Sequence, residues 1–216
     1  MQIRDRLSLP PPQTPFERAL ASGLQNILLD LSKALNNSWE DLRVPVNAIK
    51  VPTVNPPTWA DYSAGQLLAF SYQSVAGNEQ QVYFCAQLPH SYRLGSTIHP
   101  HVHWVPAVNT TDATEGVRWG LEYEWVSIGG TFSSTNTIYG LETLTKGACI
   151  NTHQITSFSA ITGSGKGISS MLVCRLFRNS SNGADTYDGA GANALLLEID
   201  FHFEADTIGS RTETEK

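Results

Sequence analysis

No run of apolar residues in this chain approaches the ~20 that a helix needs to cross a bilayer, so no membrane segment is expected. Basic residues are also scarce. Fourteen Lys and Arg stand against twenty Asp and Glu, a net charge of −6, which excludes a broad electrostatic surface for nucleic acid. Cysteine is nearly missing: Cys85, Cys149 and Cys174 are odd in number and show no paired spacing, so buried free thiols in a reducing compartment are expected. Arg4, Asp5 and Arg6 precede no apolar core, so the first residues are not read as a signal peptide. Three glycosylation triplets, at Asn36, Asn109 and Asn179, then read as chance.

Regular elements are plentiful by contrast, and they divide the chain at residue 38. Residues 1–38 are expected to form an extended arm, ending in Pro10-Pro11-Pro12, followed by one amphipathic helix. Thr14 supplies an N-cap, Pro15 suits the first helical position, and Glu17 completes a capping box. Phe16, Leu20, Leu24, Ile27, Leu28, Leu31 and Leu35 then form one apolar stripe that Asn36-Asn37 ends. The first expectation is that this stripe packs on the chain's own sheets. The alternative is contact between subunits, since Leu20, Leu24, Ile27 and Leu31 alternate spacings of four and three as in a coiled-coil seam.

Residues 39–216 read as an all-β domain. Strands are expected over 44–51, 67–72, 81–88, 98–106, 117–126, 132–139, 170–177 and 195–204, with a pair within 148–161. Pro52 to Trp59 and Gly77-Asn78-Glu79 are expected to be connections. Connections this short favour antiparallel pairing, and eight strands besides that pair, without intervening helices, fit a jelly-roll sandwich.

Chemistry concentrates in Ile98-His99-Pro100-His101-Val102-His103-Trp104. Alternation along a strand puts His99, His101 and His103 on one face. Glu198, Asp200, His202 and Glu204 alternate in the same way, as do Glu122 and Glu124. If these strands are neighbours, one sheet face collects imidazoles and carboxylates, a donor set that suits zinc or a similar ion. A cupin-like enzyme site would need a glutamate soon after His101-Val102-His103, but Trp104 to Val108 bring none and Glu115-Gly116 arrives too late. The expectation is therefore a polar face, solvated or buried between subunits, with no cofactor, no metal and no enzymatic activity. His99, His101, His103 and His202 are the candidate ligands should a metal bind. Gly163-Ser164-Gly165-Lys166-Gly167 departs from a phosphate loop at both ends and is expected to be a turn. Trp104, Trp119 and Trp125 are expected in the core, with Trp59 and Tyr62 the better contact aromatics.

Several blocks together carry a family likeness. They are Trp39-Glu40-Asp41-Leu42-Arg43-Val44-Pro45, Gln87-Leu88-Pro89-His90-Ser91-Tyr92, the histidine strand, Trp119-Gly120-Leu121-Glu122-Tyr123, Ser169 to Arg175, Leu197 to His202 and Gly209 to Glu213. Over roughly residues 39 to 213 the chain resembles a group of tailed-bacteriophage virion proteins. The resemblance implies a jelly roll assembled into virions in the host cytoplasm, and a trimeric capsid decoration, or cement, protein whose partner is the major capsid protein. Tail or baseplate parts, including a receptor- or glycan-binding module, are the alternative it leaves. On that view Leu20, Leu24, Ile27, Leu31 and Leu35 anchor or trimerise, and His101 and His103 pack near a three-fold axis.

Overall fold

Two sequence periods generate the structure, one of 3.6 residues before residue 38 and one of two after it. The computed structural model describes residues 14–35, 38–62, 65, 67–74, 79–112 and 114–216. The expected arm, Asn36-Asn37 and Gly77-Asn78 lie outside the described residues.

Helix α1 spans Pro15–Leu35. Its start is reciprocally capped as expected: the Glu17 amide donates to Thr14 Oγ1 at 3.1 Å, and the Thr14 amide donates to Glu17 Oε2 at 2.8 Å. The expectation that its stripe packs on the sheets is not met. Phe16, Leu20, Leu24, Ile27 and Leu31 are 47–75% exposed. The reason lies in the sandwich, whose two sheets already bury each other's inner faces.

Ten strands follow among the described residues: β1 (Ser38–Pro45), β2 (Thr58–Tyr62), β3 (Leu67–Tyr72), β4 (Gln81–Gln87), β5 (Ile98–Pro106), β6 (Gly116–Val126), β7 (Asn136–Thr143), β8 (Gln154–Ser157), β9 (Met171–Arg178) and β10 (Ala194–Ala205). One sheet runs β2-β3-β10-β5-β8, and the other β4-β9-β6-β7. All pairs are antiparallel. Taken from β3 onward, the orders 3-10-5-8 and 4-9-6-7 are those of a jelly roll, in which an antiparallel ribbon is wound over two facing sheets. β1 is an addition that pairs with the second half of β10, on the edge that β3 occupies along the first half.

That shared edge explains why the expected strand at 44–51 is displaced. β1 stops where Pro45 meets Glu198, because β3 takes over the β10 edge from Leu196. A 3₁₀ turn, Val46–Ala48, follows, and Lys50 only bridges to Tyr83. β2, expected as connection, starts just after Pro57 and serves as an edge strand on β3, a place where prolines nearby cost no ladder bonds. β7 begins later than expected. Before it the Ser134 amide donates to Glu124 (3.1 Å) and the Thr135 hydroxyl to Glu122 (2.7 Å), so this stretch is bonded to side chains rather than to a ladder. Within 148–161 only β8 forms. Asn109 Oδ1 instead accepts from the amides of Cys149 and Ile150.

The interior is aromatic and aliphatic: Trp104, Trp119, Tyr72, Phe84 and Phe201 are fully buried, and Trp125 nearly so. Among the described residues an ion pair lies inside. Arg178 meets Asp185 at 2.8 Å with both side chains inaccessible, and donates further to the carbonyls of Tyr72, Ala192 and Tyr187. These bonds satisfy a buried guanidinium and pin the long loop between β9 and β10. Cys149 and Cys174 are buried as expected, but Cys85 is exposed. It alternates with Val82, Phe84 and Ala86, which take the inner face of β4.

Candidate functional site

β5 and β10 pair directly, which brings the two alternating polar rows together. Asp200 sits opposite His101, His202 opposite His99, and Glu198 opposite His103. On its other side β10 receives β1, which sets Asp41 opposite His202 and Arg43 opposite Asp200. Inner residues Val102, Trp104, Ile199, Phe201 and Phe203 fill the core, so the polar rows lie on the outer face of the larger sheet. The histidines therefore do not point into the space between the sheets.

Asp200 is the centre of this face. Its side chain is only 6% exposed, yet three imidazoles surround it. His202 Nε2 lies 3.1 Å from Oδ2, His103 Nε2 lies 3.3 Å from Oδ1, and His101 Nδ1 lies 4.0 Å from Oδ1. His202 Nε2 also reaches Asp41 at 3.0 Å. A second imidazole row supports the first, with His103 Nδ1 at 2.8 Å from His153 Nε2 and the two rings stacked. Despite this density, Asp200 Oδ1 and His101 Nδ1 are buried without a hydrogen-bond partner. Burial holds the His101 imidazole below its ordinary pKa, with nearby His202 acting in the same direction and Asp200 opposing.

The four histidines named from sequence thus divide. His101, His103 and His202 converge on Asp200, whereas His99 presents its ring to the edge of Trp39 at 5.2 Å. Glu122 and Glu124 do not join them, because β6 belongs to the opposite sheet, where Glu122 pairs with Arg175. His153 and Asp41 escape sequence reasoning. Each enters only through a strand pairing, β8 on β5 and β1 on β10, that no local pattern announces. The sixth histidine, His90, is bonded elsewhere, to Ser210 and Ser169.

The 163–167 loop is a turn, with Lys166 Nζ donating to the Trp125 carbonyl. Trp59 is 53% exposed and stacks on Phe70 at 3.9 Å, and Tyr62 is partly buried. Among the described residues no helix is long and apolar enough to cross a membrane.

No family model matches the chain, and no curated protein matches it. A solved structure, that of Eiger TNF from S. frugiperda, aligns with 82% of this chain and 98% of its own, at 7% identity and a TM-score of 0.34. The jelly-roll assignment rests on the strand order itself.

Proposed function

We propose that this chain is a structural protein of a tailed-bacteriophage virion, a jelly-roll module that trimerises and decorates the capsid by bridging neighbouring capsid subunits. The observation that carries this reading is the exposed stripe of α1. A well-capped helix leaves Phe16, Leu20, Leu24, Ile27 and Leu31 in solvent while the sandwich beneath has a complete core of its own. An apolar seam of that kind is stabilised by burial against another chain, and the four-three spacing suits a bundle of identical helices about a symmetry axis. The family resemblance, which covers the β domain and not α1, supplies the setting, in which a rigid β module ties shell subunits together.

The native mass of the full chain by light scattering tests this, beside the double variant Leu24→Glu, Ile27→Glu. A trimer that falls to monomer in the variant is expected, together with binding of the wild type, and not the variant, to capsids lacking the protein. A monomeric wild type at tens of micromolar that fails to bind such capsids overturns it. A glycan-binding tail module is the second reading, favoured by exposed Trp59 on the edge strand β2. Glycan-array binding that Trp59→Ala abolishes would select it.

A further inference from the structure

We infer that His101, Asp200 and His202 form a binding site for one first-row divalent transition ion, best matched by zinc, on the outer face of the larger sheet. The inference does not depend on where the protein is assembled.

Three observations converge. The first is composition: two imidazoles and a carboxylate bring one donor atom each within 4.8 Å of one another. This nitrogen-rich set favours zinc, cobalt or nickel over magnesium or calcium, which take oxygen.

The second is unsatisfied valence. Asp200 is 94% buried by its 6% side-chain exposure, its Oδ1 accepts no hydrogen bond although His103 Nε2 stands 3.3 Å away, and the facing His101 Nδ1 has no partner either. A buried polar atom left unpaired is costly and rare in a folded protein. The two atoms stand 4.0 Å apart, too far for a shared proton to join them by a hydrogen bond. An ion at ~2.1 Å from each can span the gap.

The third is geometry. A tetrahedral ion with arms of ~2.1 Å holds its donors ~3.4 Å apart. Within the ligand set, His202 Nε2 stands 3.1 Å from Asp200 Oδ2 and His101 Nδ1 stands 4.0 Å from Oδ1, on either side of that value.

The surroundings resemble the outer shell of a metal site. His103 turns Nε2 toward Asp200 while its Nδ1 is engaged by His153, a relay that fixes ring orientation. His103 can therefore supply a fourth ligand, its Nε2, or hold a water in that position. Asp41 flanks His202 from the exposed side and offers a further oxygen. The backbone is well suited to the task, because all three ligands stand on two paired strands in fixed register rather than on loops.

The test uses the full-length protein stripped with a chelator and titrated with Zn²⁺ by calorimetry and with Co²⁺ by visible absorption. One saturable ion per chain is expected, with cobalt bands of a four- or five-coordinate site and a melting temperature that rises with zinc concentration. His101→Ala and His202→Gln should each weaken binding more than the ~10–100-fold typical of losing an outer-shell partner, and His153→Ala by about that factor. His90→Ala should bind as wild type. His202 lies on the exposed rim, so His202→Gln is the variant expected to keep its fold if Asp200→Asn does not, and circular dichroism verifies this. Absence of stoichiometric binding, binding that survives both His101→Ala and His202→Gln, or equal affinity for Mg²⁺ would overturn the assignment.

Discussion

Glu122 shows how a single side chain on the other sheet couples stability to acidity. Its carboxylate accepts from the Thr135 hydroxyl and from Arg175, and these bonds hold its pKa below the ordinary 4.5 although partial burial pulls the other way. With the folded value depressed, the unfolded chain takes up the proton first as pH falls. The stabilisation is therefore complete above about pH 4.5 and is lost as pH drops through the folded value. In urea titrations Glu122→Gln should lower the midpoint at pH 7 and converge on wild type as pH falls below the folded value. A gap independent of pH would show that the ionised carboxylate contributes nothing. At this scale the sequence was informative about residue type and much less about partners. Alternation placed Glu122 and Asp200 outward equally well, but only strand pairing decides that one meets an arginine and the other three imidazoles. The cluster's least predictable members, Asp41 and His153, have no periodic signature of their own.

Elements were legible where a local rule governs them. The capping box fixed the start of α1, and clean alternation fixed β4, β5, β6, β9 and β10 to within a residue or two. The displaced strands are those whose fate depends on a competitor. β1 yields its edge to β3, and the approach to β7 yields its amides to Glu124. Close approach between elements is likewise invisible in one dimension. Gly140 lies in β7 at the seam with β8, where an added Cβ would stand 2.6 Å from the Ser157 carbonyl oxygen and 2.7 Å from Thr156 Cγ2. The oxygen is backbone and cannot swing aside, so the two sheets would have to part at that corner. Gly140→Ala is expected to cost about 1–3 kcal/mol by overpacking, read as a drop in the urea midpoint at unchanged slope. Wild-type stability in this variant would mean that β7 and β8 are not held together through Gly140.

At the scale of the molecule, the strand number pointed to a jelly roll, but the winding that makes β10 the hub of the larger sheet emerges only from the pairings. β10 contacts β5 along one edge and shares the other between β3 and β1. This asymmetry separates the two ends of the N-terminal region by function. The α1 stripe is exposed and adds nothing to the core, whereas β1 covers an edge of β10 from Ser38 to Pro45 and delivers Asp41 to the histidine cluster. Removing residues 1–37 should therefore leave the melting temperature of the sandwich within a few degrees of the full chain measured as monomer. Removing residues 1–45 should lower it sharply, because eight residue pairings on β10 are lost and Val44 leaves the core. The bared edge presents unpaired amides and carbonyls to other chains, so the longer truncation should also aggregate on concentration. Calorimetry and light scattering on both truncations separate the two effects. If the shorter truncation already unfolds, α1 supports the sandwich directly and its exposed stripe is not free to join subunits. If the longer one is as stable as the shorter, β1 is a dispensable strap, and the boundary between appendage and fold moves from residue 38 to beyond Pro45.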